Sequence, residues 1–275
     1  MQESNQDKYI AAEERYAQKN SLYNRCGKSG VLLPKISLGF WRNFGADAPY
    51  ERSRAITRYA FDHGITHFDL ANNYGVPYGS AELTMGRLMA EDFRPYRDEL
   101  FISSKAGYDM WPGVYGEWGS RKYLMASIDQ SLRRMQIDYV DLFYSHRYDP
   151  NTPIQETLQA LVDIVRQGKA LYVGISNWPL DELKKAAKYL KEHDTPLLIY
   201  QGRMNMLDHE PLDNGTLAFC GKNGIGFAAY SPLAKGGLRT QPHEAIRWVL
   251  DHPEVTTAIV GVSSLEQFVD DLRAL

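Results

Sequence analysis

The sequence predicts a (β/α)8 TIM barrel in a single domain, on three observations. Short β-branched or aromatic runs alternate with amphipathic helical segments, eight such runs occur, and no linker divides the 275 residues. A doubly wound sheet shares the alternation. It would announce itself by a GxGxxG turn after the first strand, whereas here that strand leads into RNFG (42–45).

In chain order, residues 1–20 read as a polar, helix-compatible extension and residues 21–275 as the barrel domain. LYNRCGKSGV (22–31) reads as a turn-containing hairpin placed to plug the barrel's bottom. The predicted strands are Leu32 to Trp41, Thr66 to Ala71, Leu100 to Ala106, Tyr139 to His146, Ala170 to Ser176, Leu197 to Gln201, Gly226 to Ser231 and Thr257 to Val262. Helices are predicted at Glu51 to His63, Ala81 to Phe93, Lys122 to Met135, Pro153 to Gln167, Leu180 to His193 and Leu265 to Leu275. In Lys122 to Met135 the apolar Leu124, Ile128, Leu132 and Met135 recur at three and four, which marks one buried stripe. Thr152, Pro153 and Gln155 read as the N-cap, first position and third position of a capping-box start.

Composition narrows the function classes. Thirty-one Lys+Arg against 34 Asp+Glu, with a net charge of −3, provide no basic field for a nucleic-acid backbone. The polar N-terminus lacks the apolar core of a signal peptide, and no stretch approaches the roughly 18 apolar residues of a membrane span. A cytoplasmic protein without membrane or nucleic-acid partners is the expectation. Cys26 and Cys220 stand far apart with no CxxC, so they support neither a disulfide framework nor a zinc site.

A barrel of this class carries its chemistry at the C-terminal ends of the strands. Asp69, Tyr74, Lys105 and His146 fall at or just beyond three successive strand ends and converge on one mouth. Alternation puts Leu142, Tyr144 and His146 on one face of the fourth strand, turning His146 inward. These groups suit carbonyl reduction. A carbonyl that accepts hydride needs a proton on its oxygen, and a phenol can supply it if its pKa is brought down from about 10. The Lys105 ammonium is expected to do that, held by Asp69, while His146 orients the substrate oxygen. His67, two residues before Asp69, invites a metal reading, but there is no HxH and the fifth and sixth strands offer Ser, Asn and Gln, so no metal is expected. A glycosidase would need a second carboxylate beside Asp69.

Those residues resemble the aldo-keto reductases. GITHFDLANNYG (64–75) with GSAE (79–82) is similar to the family's signature around its catalytic Asp and Tyr, and DYVDLFYSH (138–146) to its His segment. Two subgroups come nearest. KAGYDMWPG (105–113) and GSRKYL (119–124) are similar to the bacterial L-glyceraldehyde 3-phosphate reductases, and GVSSLEQ (261–267) is also similar to the potassium-channel β subunits. The resemblance runs from about Tyr23 to Leu275. It implies an NADP(H)-dependent oxidoreductase acting on small carbonyl compounds such as glyceraldehyde 3-phosphate or methylglyoxal, with NAD(H) as the second cofactor choice and a homotetramer or higher homo-oligomer as the assembly. The channel subunits offer the alternative of a cofactor-binding regulatory subunit. They tend to carry Asn where this sequence has His146, which favours an enzyme.

By the same resemblance Ser176, Asn177 and Gln201 meet the nicotinamide carboxamide and Tyr230 stacks on its ring. Trp41 and Asp69 also belong to the cofactor set, Ser231, Pro232, Leu233 and Ala234 lie near the pyrophosphate, and Gly261, Ser263, Gln267 and Asp271 surround the adenosine. Ser263 with Glu266 also reads as the last helix's capping box. Trp41, Tyr108 and Trp111 are expected to line the substrate pocket, with Arg147, or else Arg121 or Lys122, meeting a substrate phosphate. Two departures stand out. PLAKGGLRTQ (232–241) runs straight into PHEAIRWVL, where relatives insert about 40 further residues, and Ser264 replaces the Arg commonly set against a 2′-phosphate.

Overall fold

The β-branched and aromatic runs pair in parallel and in chain order. The computed structural model describes residues 8–275. Among them, eight strands close a barrel: β1 (Ile36–Gly39), β2 (His67–Asp69), β3 (Phe101–Ala106), β4 (Val140–Ser145), β5 (Ala170–Ser176), β6 (Ile199–Arg203), β7 (Gly226–Tyr230) and β8 (Val255–Val260). β8 pairs with both β7 and β1, which completes the circle. Each strand is followed by its helix: α1 (Tyr50–Asp62), α2 (Ser80–Leu88), α3 (Arg121–Met135), α4 (Ile154–Arg166), α5 (Leu180–Glu192), α6 (Thr216–Asn223), α7 (Pro242–Leu250) and α8 (Leu265–Leu272).

The predicted first strand divides at Pro34. Leu32–Pro34 pairs antiparallel with Tyr23–Arg25 as the hairpin, and only Ile36–Gly39 enters the barrel, because a proline has no N–H for the ladder. The hairpin does plug the barrel. Its Cys26, Val31 and Leu33 pack against the inward-facing Leu142, Tyr144, Ala228 and Ile259, whereas Phe143 faces the helical layer. Gly174 on β5 leaves room for the Tyr144 ring: a Cβ there would stand 2.5 Å from it. Both cysteines are free and buried.

Three local expectations are corrected. The segment predicted as a helix from Ala81 to Phe93 is α-helical only to Leu88 and continues as a π-turn, Met89–Phe93. That turn carries the buried Asp92 to Arg54 and Arg58 of α1. Thr152 does not cap α4. Its hydroxyl donates to Asp149 Oδ2 at 2.6 Å, and the helix begins at Ile154 after Pro153. At α8 the cap is Ser264, whose Oγ accepts from the Gln267 N–H at 3.3 Å, while Ser263 is bound by the Gln267 side chain.

Residues 1–7 of the polar extension lie outside the described residues. The remainder is docked on the barrel: Tyr9 donates to Asp62 Oδ1 at 2.6 Å, Arg15 pairs with Glu99, and short turns of helix form at Glu13–Tyr16 and Lys19–Leu22. Among the described residues no helix is long and apolar enough to cross a membrane.

Candidate active site

The C-terminal strand ends surround a cavity of about 630 Å³, within the range of small-molecule sites. Its floor is an ion pair in the barrel mouth. Lys105, at the end of β3 and fully buried, directs its ammonium to Asp69 Oδ2 at 2.6 Å, the Leu70 carbonyl at 2.7 Å and the Tyr74 hydroxyl at 3.4 Å. Three donors therefore meet three acceptors. Asp69 accepts further from Ser103 Oγ at 2.9 Å and Gln201 Nε2 at 3.0 Å. A carboxylate held by two hydrogen bonds and an ammonium stays fixed.

Behind Asp69 a buried polar chain crosses the barrel. Thr257 Oγ1 meets Ser37 Oγ at 2.6 Å, Ser37 meets His67 Nδ1 at 2.8 Å, and His67 Nε2 meets Ser103 Oγ at 3.0 Å. Both ring nitrogens of His67 are thus occupied by hydroxyls. Burial pushes its pKa down to about 4, so the ring is neutral at neutral pH. Its role is to tie Ser103, and through it Asp69, to the barrel wall. Among the described residues no group of three or more His, Cys, Asp or Glu could hold a metal.

Tyr74 departs from the expected electrostatics. Burial, followed by the Asp69 charge, pushes the phenol well above its ordinary value instead of lowering it. The reason is geometric, since the Lys105 charge is matched by Asp69 at 2.6 Å while the phenol stands farther off at 3.4 Å. Burial also lowers the Lys105 pKa, against the pull of Asp69. His146 stands just beyond β4, with Tyr74 and Tyr108 edge-on to its ring at 5.8 and 4.7 Å. Burial, then Lys105 and Arg147, hold it well below the usual imidazole range, and its Nδ1 is buried without a partner.

The cofactor positions implied by the resemblance mostly share this cavity. Trp41, Asp69, Ser176, Asn177, Gln201, Tyr230, Ser231, Pro232, Leu233, Gly261, Ser263 and Gln267 line it. Ala234 and Asp271 do not. Tyr230 donates to Asn177 Oδ1 at 2.9 Å, and Asn177 Nδ2 donates to the His146 carbonyl at 3.1 Å, which links the ends of β4, β5 and β7. Asn177, Ser231, Ala234 and Lys235 all hold φ between 49° and 56°, a conformation L-residues rarely adopt and one that clusters at functional sites. The amide and hydroxyl groups of Ser176, Asn177 and Gln201, the Tyr230 ring and Asp69 line one cavity, a set that could hold a nicotinamide. Asp271 is buried at the far end, bound by Arg239, and burial raises its carboxyl to about 6.

Of the expected substrate residues, Trp41 and Tyr108 line the cavity and Trp111 and Arg147 stand outside it. Trp111 packs on Tyr123. Arg147 is bound to the Gly107 carbonyl at 2.8 Å and to Glu117 at 2.7 Å. Arg121 is paired with Asp163, and the Lys122 amine sits over the Tyr115 ring. The cations that do line the cavity are Arg42, Arg203, Lys235 and Arg239. Sequence order gave no signal for them, because their reach depends on how the loops fold back. Glu82 of the GSAE motif is structural: it accepts from Ser104 Oγ and pairs with Arg134, pinning α2 to β3 and α3. A second concavity of about 600 Å³, beside Met206 and Trp248, is remote from this acid–base group.

A barrel whose mouth holds a buried Lys–Asp pair against a tyrosine can carry acid–base chemistry, and comparison with known proteins shows the family. The aldo/keto reductase family model matches residues 35–244. The chain is 45% identical, over 315 aligned positions, to the L-glyceraldehyde 3-phosphate reductase of Escherichia coli K12, covering 97% of this chain and 90% of that one. Because 315 positions exceed the chain's 275 residues, at least 40 positions of that relative face a gap. A probable voltage-gated potassium channel subunit beta of Arabidopsis thaliana is 33% identical over 78% of this chain and 65% of its own. A thermostable aldo-keto reductase solved with the inhibitor epalrestat superposes with a TM-score of 0.76, at 29% identity, over 92% of this chain and 93% of that one. The matching family and relatives are oxidoreductases. This chain belongs to the aldo-keto reductase family.

Proposed function

We propose that the protein reduces small aldehydes, glyceraldehyde 3-phosphate and methylglyoxal among them, to alcohols with NADPH, and that Tyr74 is the general acid. The observation that carries this reading is the Lys105 ammonium, fully buried and shared between Asp69 and the Tyr74 hydroxyl at the cavity floor. When bound, the reduced nicotinamide supplies a hydride to the carbonyl carbon. The alkoxide oxygen takes the Tyr74 proton, and the phenolate left behind faces the Lys105 charge. A raised phenol pKa keeps the acid protonated at neutral pH. The neutral His146 ring hydrogen-bonds the substrate oxygen and sets its direction.

Ser176, Asn177 and Gln201 bind the carboxamide and Tyr230 covers the ring, with Ser231 to Ala234 near the pyrophosphate. At the adenosine end Ser264 caps a helix and Arg239 is matched by Asp271, so no free guanidinium meets a 2′-phosphate there. NADPH should therefore be preferred over NADH by less than about a hundredfold, or roughly 2.7 kcal/mol. Fluorescence titration with each cofactor measures this, and a larger ratio contradicts it. The retained Asp69, Tyr74, Lys105 and His146 set supports catalysis over a purely regulatory role like that named for the channel-subunit relatives. NADPH oxidation on adding glyceraldehyde, with glycerol as product, tests the reading. A protein that binds NADPH yet oxidises it with no short aldehyde supports the regulatory alternative instead.

A further inference from the structure

Arg147 directly follows the oxygen-orienting His146, yet it stands outside the cavity and no step of the reduction uses it. Its donors are already engaged. Nε donates to the Gly107 carbonyl at 2.8 Å and Nη2 to Glu117 Oε2 at 2.7 Å, so Glu117 balances the charge that a substrate phosphate would need. The guanidinium also covers two rings. Its carbon lies 3.5 Å from the centroid of Trp118 and 4.5 Å from that of Tyr108.

These partners all belong to one loop, residues 107–120 between β3 and α3, and that loop is closed on itself beside the cavity. Trp118 donates its N–H to the same Gly107 carbonyl at 2.9 Å and holds φ at 73°, a conformation bulky residues rarely adopt. The Tyr123 hydroxyl donates to the Tyr108 carbonyl, and the Gly119 N–H donates to Asp149 Oδ2 at 3.0 Å. On the cavity side the Tyr108 ring meets the His146 ring at 4.7 Å and 89°. Gly107 approaches so closely that a Cβ there would stand 2.9 Å from His146 Cβ. Of the residues in this brace only Tyr108 and His146 line the cavity, so what the brace fixes there is the wall next to the substrate oxygen.

We propose that Arg147 is a positioning residue for substrate specificity: lying flat on Tyr108, it locks that ring beside His146 as a fixed wall that admits short aliphatic aldehydes and excludes aryl ones. The inference rests on the carbonyl-reduction reading and names its substrate class. A lysine would keep the charge but cannot lie flat on a ring while holding two acceptors in one plane, so the wall requires arginine.

The NADPH-loaded protein is assayed with methylglyoxal and with phenylglyoxal, which share the reacting aldehyde and differ in a methyl against a phenyl group. Wild type is compared with Arg147→Met, Arg147→Lys, Tyr108→Ala and the double variant Arg147→Met with Tyr108→Ala. The ratio of kcat/KM for phenylglyoxal to that for methylglyoxal should rise by about fivefold or more in Arg147→Met, chiefly through the KM of phenylglyoxal. Arg147→Lys should raise it in the same way, and it carries the prediction if Arg147→Met does not fold. Tyr108→Ala should raise the ratio at least as far, and adding Arg147→Met to it should change the ratio by less than about twofold, because the arginine acts through that ring. NADPH affinity should stay within about twofold of the wild type throughout, since the brace touches none of the cofactor positions. An unchanged ratio in the arginine variants, or an equal loss with both aldehydes, overturns the wall. A wild-type ratio in Arg147→Lys alone assigns the effect to charge beside His146, and multiplying effects in the double variant assign it to some group other than Tyr108; either overturns it too. If neither aldehyde oxidises NADPH, the carbonyl-reduction reading falls first and the wall falls with it.

Discussion

Lys105 connects the two acid–base partners, and its behaviour on substitution should show that. Its ammonium is the Asp69 counter-ion and the nearest positive charge to Tyr74, so Lys105→Met removes both functions and leaves Asp69 buried without its ion pair. In the double variant with Tyr74→Phe the losses in kcat/KM should not multiply, because the second change removes part of the same interaction. Simple multiplication would show that the two side chains act independently. His67 makes a separate, pH-dependent prediction. Its pKa is depressed from 6.5 to about 4, so the folded state resists protonation and loses stability as pH falls through that window. The loss is about 3 kcal/mol by pH 4, at 1.36 kcal/mol for each pKa unit. Whatever stability the wild type holds over His67→Gln at pH 7 in urea denaturation should shrink by about that amount at pH 4, and a pH-independent difference contradicts it. Asp69, Tyr74, Lys105 and His146 were legible in the sequence because strand ends in a barrel must converge. Arg42 and Lys235 were not, since a long cation's partners are decided by loop packing that sequence spacing does not encode.

At the scale of single elements the strands and most helices follow from periodicity, and the errors sit where one residue overrides the pattern. Pro34 cuts the first strand, and Asp92 turns the end of α2 into a π-turn so that α1's arginines can reach it. α6 leaves little periodicity in the sequence because it is only eight residues long and opens and closes at glycines. The α8 cap lies one residue beyond the Ser263–Glu266 frame that spacing suggests, since Ser263 and Ser264 are adjacent and both reach Gln267. Ser264→Ala should therefore cost about 1 kcal/mol in thermal or urea denaturation, the usual cost of losing a side-chain N-cap. Ser263→Ala should cost less, and the reverse order would place the cap at Ser263.

On the scale of the whole molecule the barrel is sealed below by the hairpin and open above at the strand ends, which keeps stability and chemistry on opposite faces. Leu33 is fully buried in the plug. Leu33→Ala should lower stability by about 3 kcal/mol, within the usual range for a buried leucine, and leave NADPH affinity within about twofold of the wild type. A large loss of cofactor affinity in that variant would mean that the two faces are coupled. The central claim is that Tyr74 delivers the proton at the open face. Single-turnover oxidation of protein-bound NADPH, mixed rapidly with glyceraldehyde, compares the wild type with Tyr74→Phe at the chemical step itself. The variant should bind NADPH normally and react slower on the order of 10² or more. Oxidation at a near wild-type rate in Tyr74→Phe would contradict the assignment and move the acid to another group.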